Sequence, residues 1–220
     1  FIQLKKKYFS PEKLVPYLGT RGCYWGKCTF CDHGAGYIDQ FRAKHAEQIV
    51  DELEYLKNKL NAKHFMFTDE SFPPALFIKL PPMMVERDLG IYWTTLIRFE
   101  SQLLDPKLWD MAHKSGCRSL YYGLESANER IIKLVKKDTD IKAAKINLEQ
   151  AKRGGIWSHV MCFYGFPSET PEEAEDTRQF LIQNQGMIPS VEMYFFVLYK
   201  SAPVMFQTEE YKIRVKENPE

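Results

Sequence analysis

Arg21-Gly22-Cys23-Tyr24-Trp25-Gly26-Lys27-Cys28-Thr29-Phe30-Cys31-Asp32 puts three cysteines within nine residues on one glycine-broken turn. Three thiolates on one loop can hold three irons of a cubic iron–sulfur cluster. No fourth cysteine is near, so one iron would stay open to an outside ligand. An open position is what separates a reactive metal site from a structural one, for zinc as for iron.

Outward from this loop the chain alternates. Short apolar runs, polar loops and helical patterns follow one another, with strand candidates at 15–18, 64–68, 91–97, 119–123, 158–164 and 191–199. Several are β-branched or aromatic and nearly continuous in hydrophobicity, as buried parallel strands are. Ile49, Val50, Leu53, Leu56 and Leu60 make one apolar helix stripe. Asp105-Pro106 offers an N-cap with proline at the first helical position, and Gly116 a stop. Asp140 can cap a helix running to Gly154, and Thr170-Pro171-Glu172-Glu173 reads as a capping box. Pro73-Pro74 and Pro81-Pro82 frame a helix-like stretch that the prolines should keep from forming one regular helix.

Six βα steps predict an α/β fold with parallel strands and right-handed crossovers. Six is too few to close an eight-stranded barrel, so the expectation is a partial (β/α)6 TIM-like barrel, with an open doubly wound sheet as alternative. Either would place chemistry at the carboxyl ends of the strands, and the cysteine loop follows the first strand.

Other readings of the loop compete. C-x4-C-x2-C also opens a plant-type ferredoxin, which needs a fourth ligand; the remaining cysteines, Cys117 and Cys162, lie far downstream beside apolar runs and read as buried, inert thiols. A zinc site could use His33, though its spacing from Cys31 is tight. Cys28-Thr29-Phe30-Cys31 alone could be a redox dithiol. An iron–sulfur electron-transfer module and a zinc-stabilised binding scaffold therefore stay open beside the enzyme.

The 220 residues suit one domain with its own core. Lys+Arg of 30 against Asp+Glu of 29 gives a net charge of +1, which argues against a dedicated nucleic-acid or membrane surface. Lys5-Lys6-Lys7 reads as a solvated run, and the longest apolar stretch, 193–197, is too short to span a bilayer. Five cysteines, three of them clustered, look like reduced ligands of a cytoplasmic protein. A start at Phe1 reads as a piece of a longer chain with flanking domains missing.

Over nearly its whole length the chain resembles the radical S-adenosylmethionine (SAM) superfamily. The aromatic residue before the last cysteine is part of that likeness. Four residues between the first two cysteines, against the family's usual three, are similar to the branch associated with cobalamin-binding domains. The resemblance implies a radical SAM core domain over 1–220. Cys23, Cys28 and Cys31 would hold a [4Fe-4S] cluster, SAM would chelate the fourth iron, and cobalamin would come from a missing domain. Reductive cleavage of SAM would give a 5′-deoxyadenosyl radical that abstracts hydrogen from substrate.

Further segments carry the likeness. In 67–71, Asp69 or Glu70 would meet the methionine ammonium, and alternation lets only one point inward. Arg98 ends the next strand and can fork onto a carboxylate; an ion pair with Glu100 or Asp105 is its alternative. Glu125 and Ser126 stand where the family bonds the ribose. Lys136-Lys137 would neutralise the SAM carboxylate or simply be solvated. Gly165, Phe166 and Pro167 would approach the adenine, as would Phe30. The resemblance also implies an electron donor such as flavodoxin or ferredoxin and a small-molecule or peptide substrate. It identifies no catalytic side chain, and Tyr121, Tyr122, Tyr164 and Tyr194 read as core aromatics.

Overall fold

The computed structural model describes residues 12–32 and 40–215. Lys5-Lys6-Lys7 and His33 lie outside the described residues.

Six strands form one parallel sheet: β1 (Leu14–Tyr17), β4 (His64–Phe67), β5 (Tyr92–Ile97), β6 (Cys117–Glu125), β7 (Trp157–Tyr164) and β8 (Ser190–Phe195), adjacent in that order. A separate antiparallel pair, β2 (Thr20–Arg21) and β3 (Arg42–Ala43), brackets the cysteine loop. Every crossover steps to the next strand in the same direction, with no reversal in strand order. Right-handed crossovers of that kind put all helices on one face, and the twisted sheet then curls as an open partial barrel. A doubly wound sheet would need a switch point, which this order lacks.

The helices are α1 (Ala46–Leu60), α2 (Pro74–Glu86), α3 (Pro106–Lys114), α4 (Glu129–Leu134), α5 (Ile141–Arg153) and α6 (Pro171–Gln183). Alternate strand residues such as Phe65, Trp93, Leu120, Tyr122 and Val160 are buried in one core with Ile49, Leu53, Phe77, Trp109 and Leu148 of the helices. The intervening residues, among them Met66, Thr94, Tyr121, His159 and Met161, face the concave side and are half-buried. The caps form as the sequence predicts. Asp105 accepts from Lys107 N at 2.9 Å, Asp140 from Lys142 N at 2.8 Å, and both halves of the Thr170–Glu173 box are made. Gly116, at φ 101°, is obligatory, because a Cβ there would lie 1.8 Å from the Ile91 carbonyl oxygen.

Three expectations fail. α2 runs unbroken as a 13-residue helix from Pro74 through Pro81 and Pro82. Pro73 is its N-cap and Pro74 sits at the first helical position, where no N–H is missed. The two inner prolines forgo bonds to the Phe77 and Ile78 carbonyls, a loss that packing against α1 and α3 offsets. Second, β8 ends at Phe195, short of residue 199, and lies at the sheet edge. No α-helix among the described residues follows it, only a short 3-10 turn at Pro203–Phe206, and Val191, Met193 and Phe195 are exposed, Phe195 at 84%. Third, Tyr194 is 53% exposed rather than core, and Tyr121 and Tyr164 are half-buried; only Tyr122 is fully enclosed. Cys117 and Cys162 are buried, as expected of inert thiols.

Candidate active site

The cysteine loop lies over the carboxyl ends of the strands and is fastened at several points. Thr29 N donates to Val135 O at 3.0 Å and its hydroxyl to Leu134 O at 3.1 Å. Trp25 Nε1 donates to Lys136 O at 2.8 Å. Tyr24 donates to Glu100, and the Arg98 guanidinium stacks on the Trp25 ring at 3.9 Å. The two aromatic residues inside the four-residue cysteine spacing thus anchor the loop to the rim. Cys23, Cys28 and Cys31 are each half-buried, and none is in a disulfide. Burial pushes the Cys28 thiol up to about 11, against the opposing pull of Lys137 and Arg98.

Asp69 and Glu70 both lie past the end of β4 at Phe67, where strand alternation no longer sorts them, and each has a buried carboxylate oxygen. The Asp69 carboxylate accepts from Thr20 N, from the Thr20 hydroxyl at 2.5 Å and from Gly19 N at 3.5 Å. Burial nevertheless holds it above its ordinary value. It is spent as a clamp between the end of β4 and the chain leaving β1. Glu70 keeps a buried Oε2 without a hydrogen-bond partner among the described residues.

Arg98 is buried, its Nη2 donating to Lys137 O at 2.7 Å and its Nε 3.1 Å from Glu100 Oε1. The ion pair with Glu100, one of the two alternatives for this arginine, is therefore made. Its Nη1 still lacks a partner among the described residues. A bulge in the β6–β7 register precedes Glu125, whose φ is +64°. Bulges re-aim side chains, and here the carboxylate meets Lys137 Nζ at 2.9 Å. Lys137 is buried, so the solvated reading fails for it, while Lys136 is exposed. Burial pulls Lys137 down, but Glu125 and Cys28 outweigh that and leave it above its ordinary value.

Ser126 is consumed locally: its hydroxyl is 3.2 Å from that of Thr177 and accepts from Asn128 N at 3.1 Å. Phe166 packs its ring into a second aromatic cluster with Phe163, Phe196 and Tyr211, and Phe30 meets Phe163 edge-on at 5.1 Å. What residues 165–167 can offer a ligand is therefore mainly backbone. Gly165, at φ 79°, donates to Glu169, whose Oε1 is buried without a partner among the described residues. The loop anchors Tyr24 and Trp25 had no sequence signal for that role, because their partners Glu100 and Lys136 are distant in the chain.

No three His, Cys, Asp or Glu side chains among the described residues converge on a single metal ion. That bears on a mononuclear zinc site, where ligands meet one ion; in a cubic cluster each thiolate takes a separate iron. Three thiols on one loop, with the buried cations Lys137 and Arg98 acting on Cys28, fit a cluster. A cavity of about 360 Å³ lined by Leu14, His64, Tyr92, Thr94 and Arg118 among others lies at the amino ends of the strands, remote from this loop.

A loop of three cysteines at the carboxyl rim of a singly wound parallel half-barrel fits a class: a barrel enzyme whose cofactor sits at the strand ends. The chain belongs to the radical SAM superfamily, whose family model matches residues 17–181. Its members are enzymes that use a [4Fe-4S] cluster and SAM and require a reductant. The chain is 30% identical over 219 residues to the bacteriochlorophyllide d C-12(1)-methyltransferase of Chlorobaculum tepidum, covering 96% of this chain and 45% of that protein. It is 30% identical over 162 residues to the anaerobic magnesium-protoporphyrin IX monomethyl ester cyclase of Rubrivivax gelatinosus, covering 72% of this chain and 28% of the relative. Among solved structures, the radical SAM methyltransferase TsrM of Kitasatospora setae, with cobalamin and a [4Fe-4S] cluster bound, shares the fold at a TM-score of 0.80 and 17% identity, over 94% of this chain and 41% of that one. The chain thus spans less than half the length of these relatives. No helix among the described residues is long and apolar enough to cross a membrane.

Proposed function

We propose that residues 1–220 are the catalytic core of a longer enzyme, that Cys23, Cys28 and Cys31 hold its [4Fe-4S] cluster, and that the enzyme directs radical chemistry at an unreactive carbon. When bound, the cluster and SAM supply the electron and the carbon radical source. The carrying observation is that buried polar atoms without partners, Glu70 Oε2 and Arg98 Nη1, lie at the rim that bears the thiol loop. Buried polar groups are nearly always paired, so these two mark where a ligand's opposite charges would go. Glu70 would take the ammonium of SAM, Arg98 its carboxylate, and Glu125 a ribose hydroxyl. The backbone at Phe30 and at 165–167 would read the adenine. Asp69 and Ser126 act as positioning residues, holding the loop after β1 and the start of α4.

Methylation is the reaction that the Chlorobaculum relative and the TsrM fold favour, with cobalamin bound by a domain outside these residues. A small organic substrate, a flavodoxin or ferredoxin as reductant and a cytoplasmic site of action complete the reading. The test is product analysis. Protein reconstituted without oxygen, given SAM and dithionite, should turn brown and release 5′-deoxyadenosine. A colourless protein with stoichiometric zinc, or a brown one with no affinity for SAM, would refute it.

A further inference from the structure

We propose that Lys137 and Arg98 form a buried cationic bracket that sets the reduction potential of the cluster; this rests on the ligand assignment above. Lys137 is 9% exposed and Arg98 5%, and both act electrostatically on Cys28. The placement is fixed by the loop's own bonds. Trp25 donates to Lys136 O, Thr29 donates to Val135 O, and Arg98 donates to Lys137 O, so Cys28 is held between two fastenings to the segment that carries Lys137. Gly123 makes room: a Cβ there would come within 2.7 Å of Lys137 Nζ and 2.5 Å of Glu125 Oε1.

Each cation has a carboxylate, Glu125 at 2.9 Å and Glu100 at 3.1 Å, so the protein's charge at this patch is balanced before any thiolate is counted. Loading a cluster adds negative charge, and its reduction adds one electron more. Charges taken out of water interact strongly, and net charge near an iron–sulfur centre is one of the levers on its potential. A buried ammonium that acts on a ligand sulfur therefore favours the reduced state. The Glu125 carboxylate works the other way, so the pair makes a two-way adjustment.

The experiment is an EPR-monitored redox titration without SAM, on anaerobically reconstituted protein with iron and sulfide counted. Lys137→Met should move the potential negative by at least a tenfold change in the one-electron equilibrium, about 59 mV. Lys137→Arg should stay near the parent. Glu125→Gln should shift it the opposite way, a sign change that a merely structural role would not produce. If Lys137→Met loses its cluster, the Glu125→Gln and Lys137→Arg titrations still decide. An unmoved potential with full iron, or shifts of the same sign in Lys137→Met and Glu125→Gln, overturns the inference. So does loss of SAM affinity in Lys137→Met with no change in potential, which would make Lys137 a ligand for the SAM carboxylate. Failure of the parent protein to take up any cluster would overturn the ligand assignment as well.

Discussion

The helix-covered face of the sheet and its carboxyl rim bury side chains for opposite reasons. On the covered face, Phe65, Trp93, Leu120, Tyr122 and Val160 meet helix residues, and Trp93 Nε1 finds Ser115 Oγ at 3.1 Å. At the rim the buried groups are charged: Arg98, Lys137 and Asp69. Burying a charge is expensive unless it is paired, and even then an apolar substitute of similar volume often serves stability better. Rim charges with spare valence, as in Arg98 Nη1, are therefore better explained by a ligand than by folding. The covered face makes the barrel, and the rim is held ready by it.

That contrast breaks most visibly at the cysteines. Cys28→Ala should abolish cluster assembly, while Cys117→Ala, on the buried face of β6, should leave the iron content intact. Iron and sulfide analysis with the visible absorption spectrum checks both, and equal loss would mean that the ligand set is wrong. Next comes Arg98→Ala, which leaves Glu100 without its cation, its carboxylate bonded by Tyr24, and removes the stack on Trp25. Unpairing a buried charge costs about 3–5 kcal/mol, to be read from chemical unfolding of the cluster-free protein. A loss near zero would show that the pair is solvated.

Glu125→Ala should keep the cluster yet weaken SAM binding roughly tenfold or more, the worth of a hydrogen bond to a charged group. Calorimetry decides, and unchanged affinity would remove Glu125 from the pocket. The smallest effect lies away from the rim, at the capping box of α6. Arg130 and the Thr170 amide hold Glu173 at about 2, below its ordinary 4.5. A depressed carboxylate contributes stability above its unfolded value and loses it as pH falls through the folded one. Glu173→Gln should thus cost about 1 kcal/mol or less at neutral pH and flatten the unfolding curve between pH 4.5 and about 2. An acid limb unchanged by the substitution would show that the pair contributes nothing.

The same contrast explains what could be read in the chain. The covered face was legible because its signals are local. Apolar runs bounded by glycine and proline mark strands, and Asp105, Asp140 and Thr170 cap helices within three residues of themselves. The cysteine spacing was legible for the same reason. α2 was misread because its prolines argue locally against a helix that only packing on α1 and α3 retains. At the rim, Lys136-Lys137 is one dipeptide with two fates. Nothing local tells the exposed lysine from the buried one, because Glu125, Arg98 and Cys28 arrive from other strands and loops. Asp69 and Glu70 lie past the end of β4, beyond the reach of strand alternation, and that Asp69 would be spent on Thr20 required the fold.

The most direct measurement is Mössbauer spectroscopy of the anaerobically reconstituted protein with and without SAM. The account predicts a cluster in which one iron differs from the other three, and in which that iron alone changes its isomer shift when SAM is added. Four equivalent thiolate-bound irons, indifferent to SAM, would contradict it.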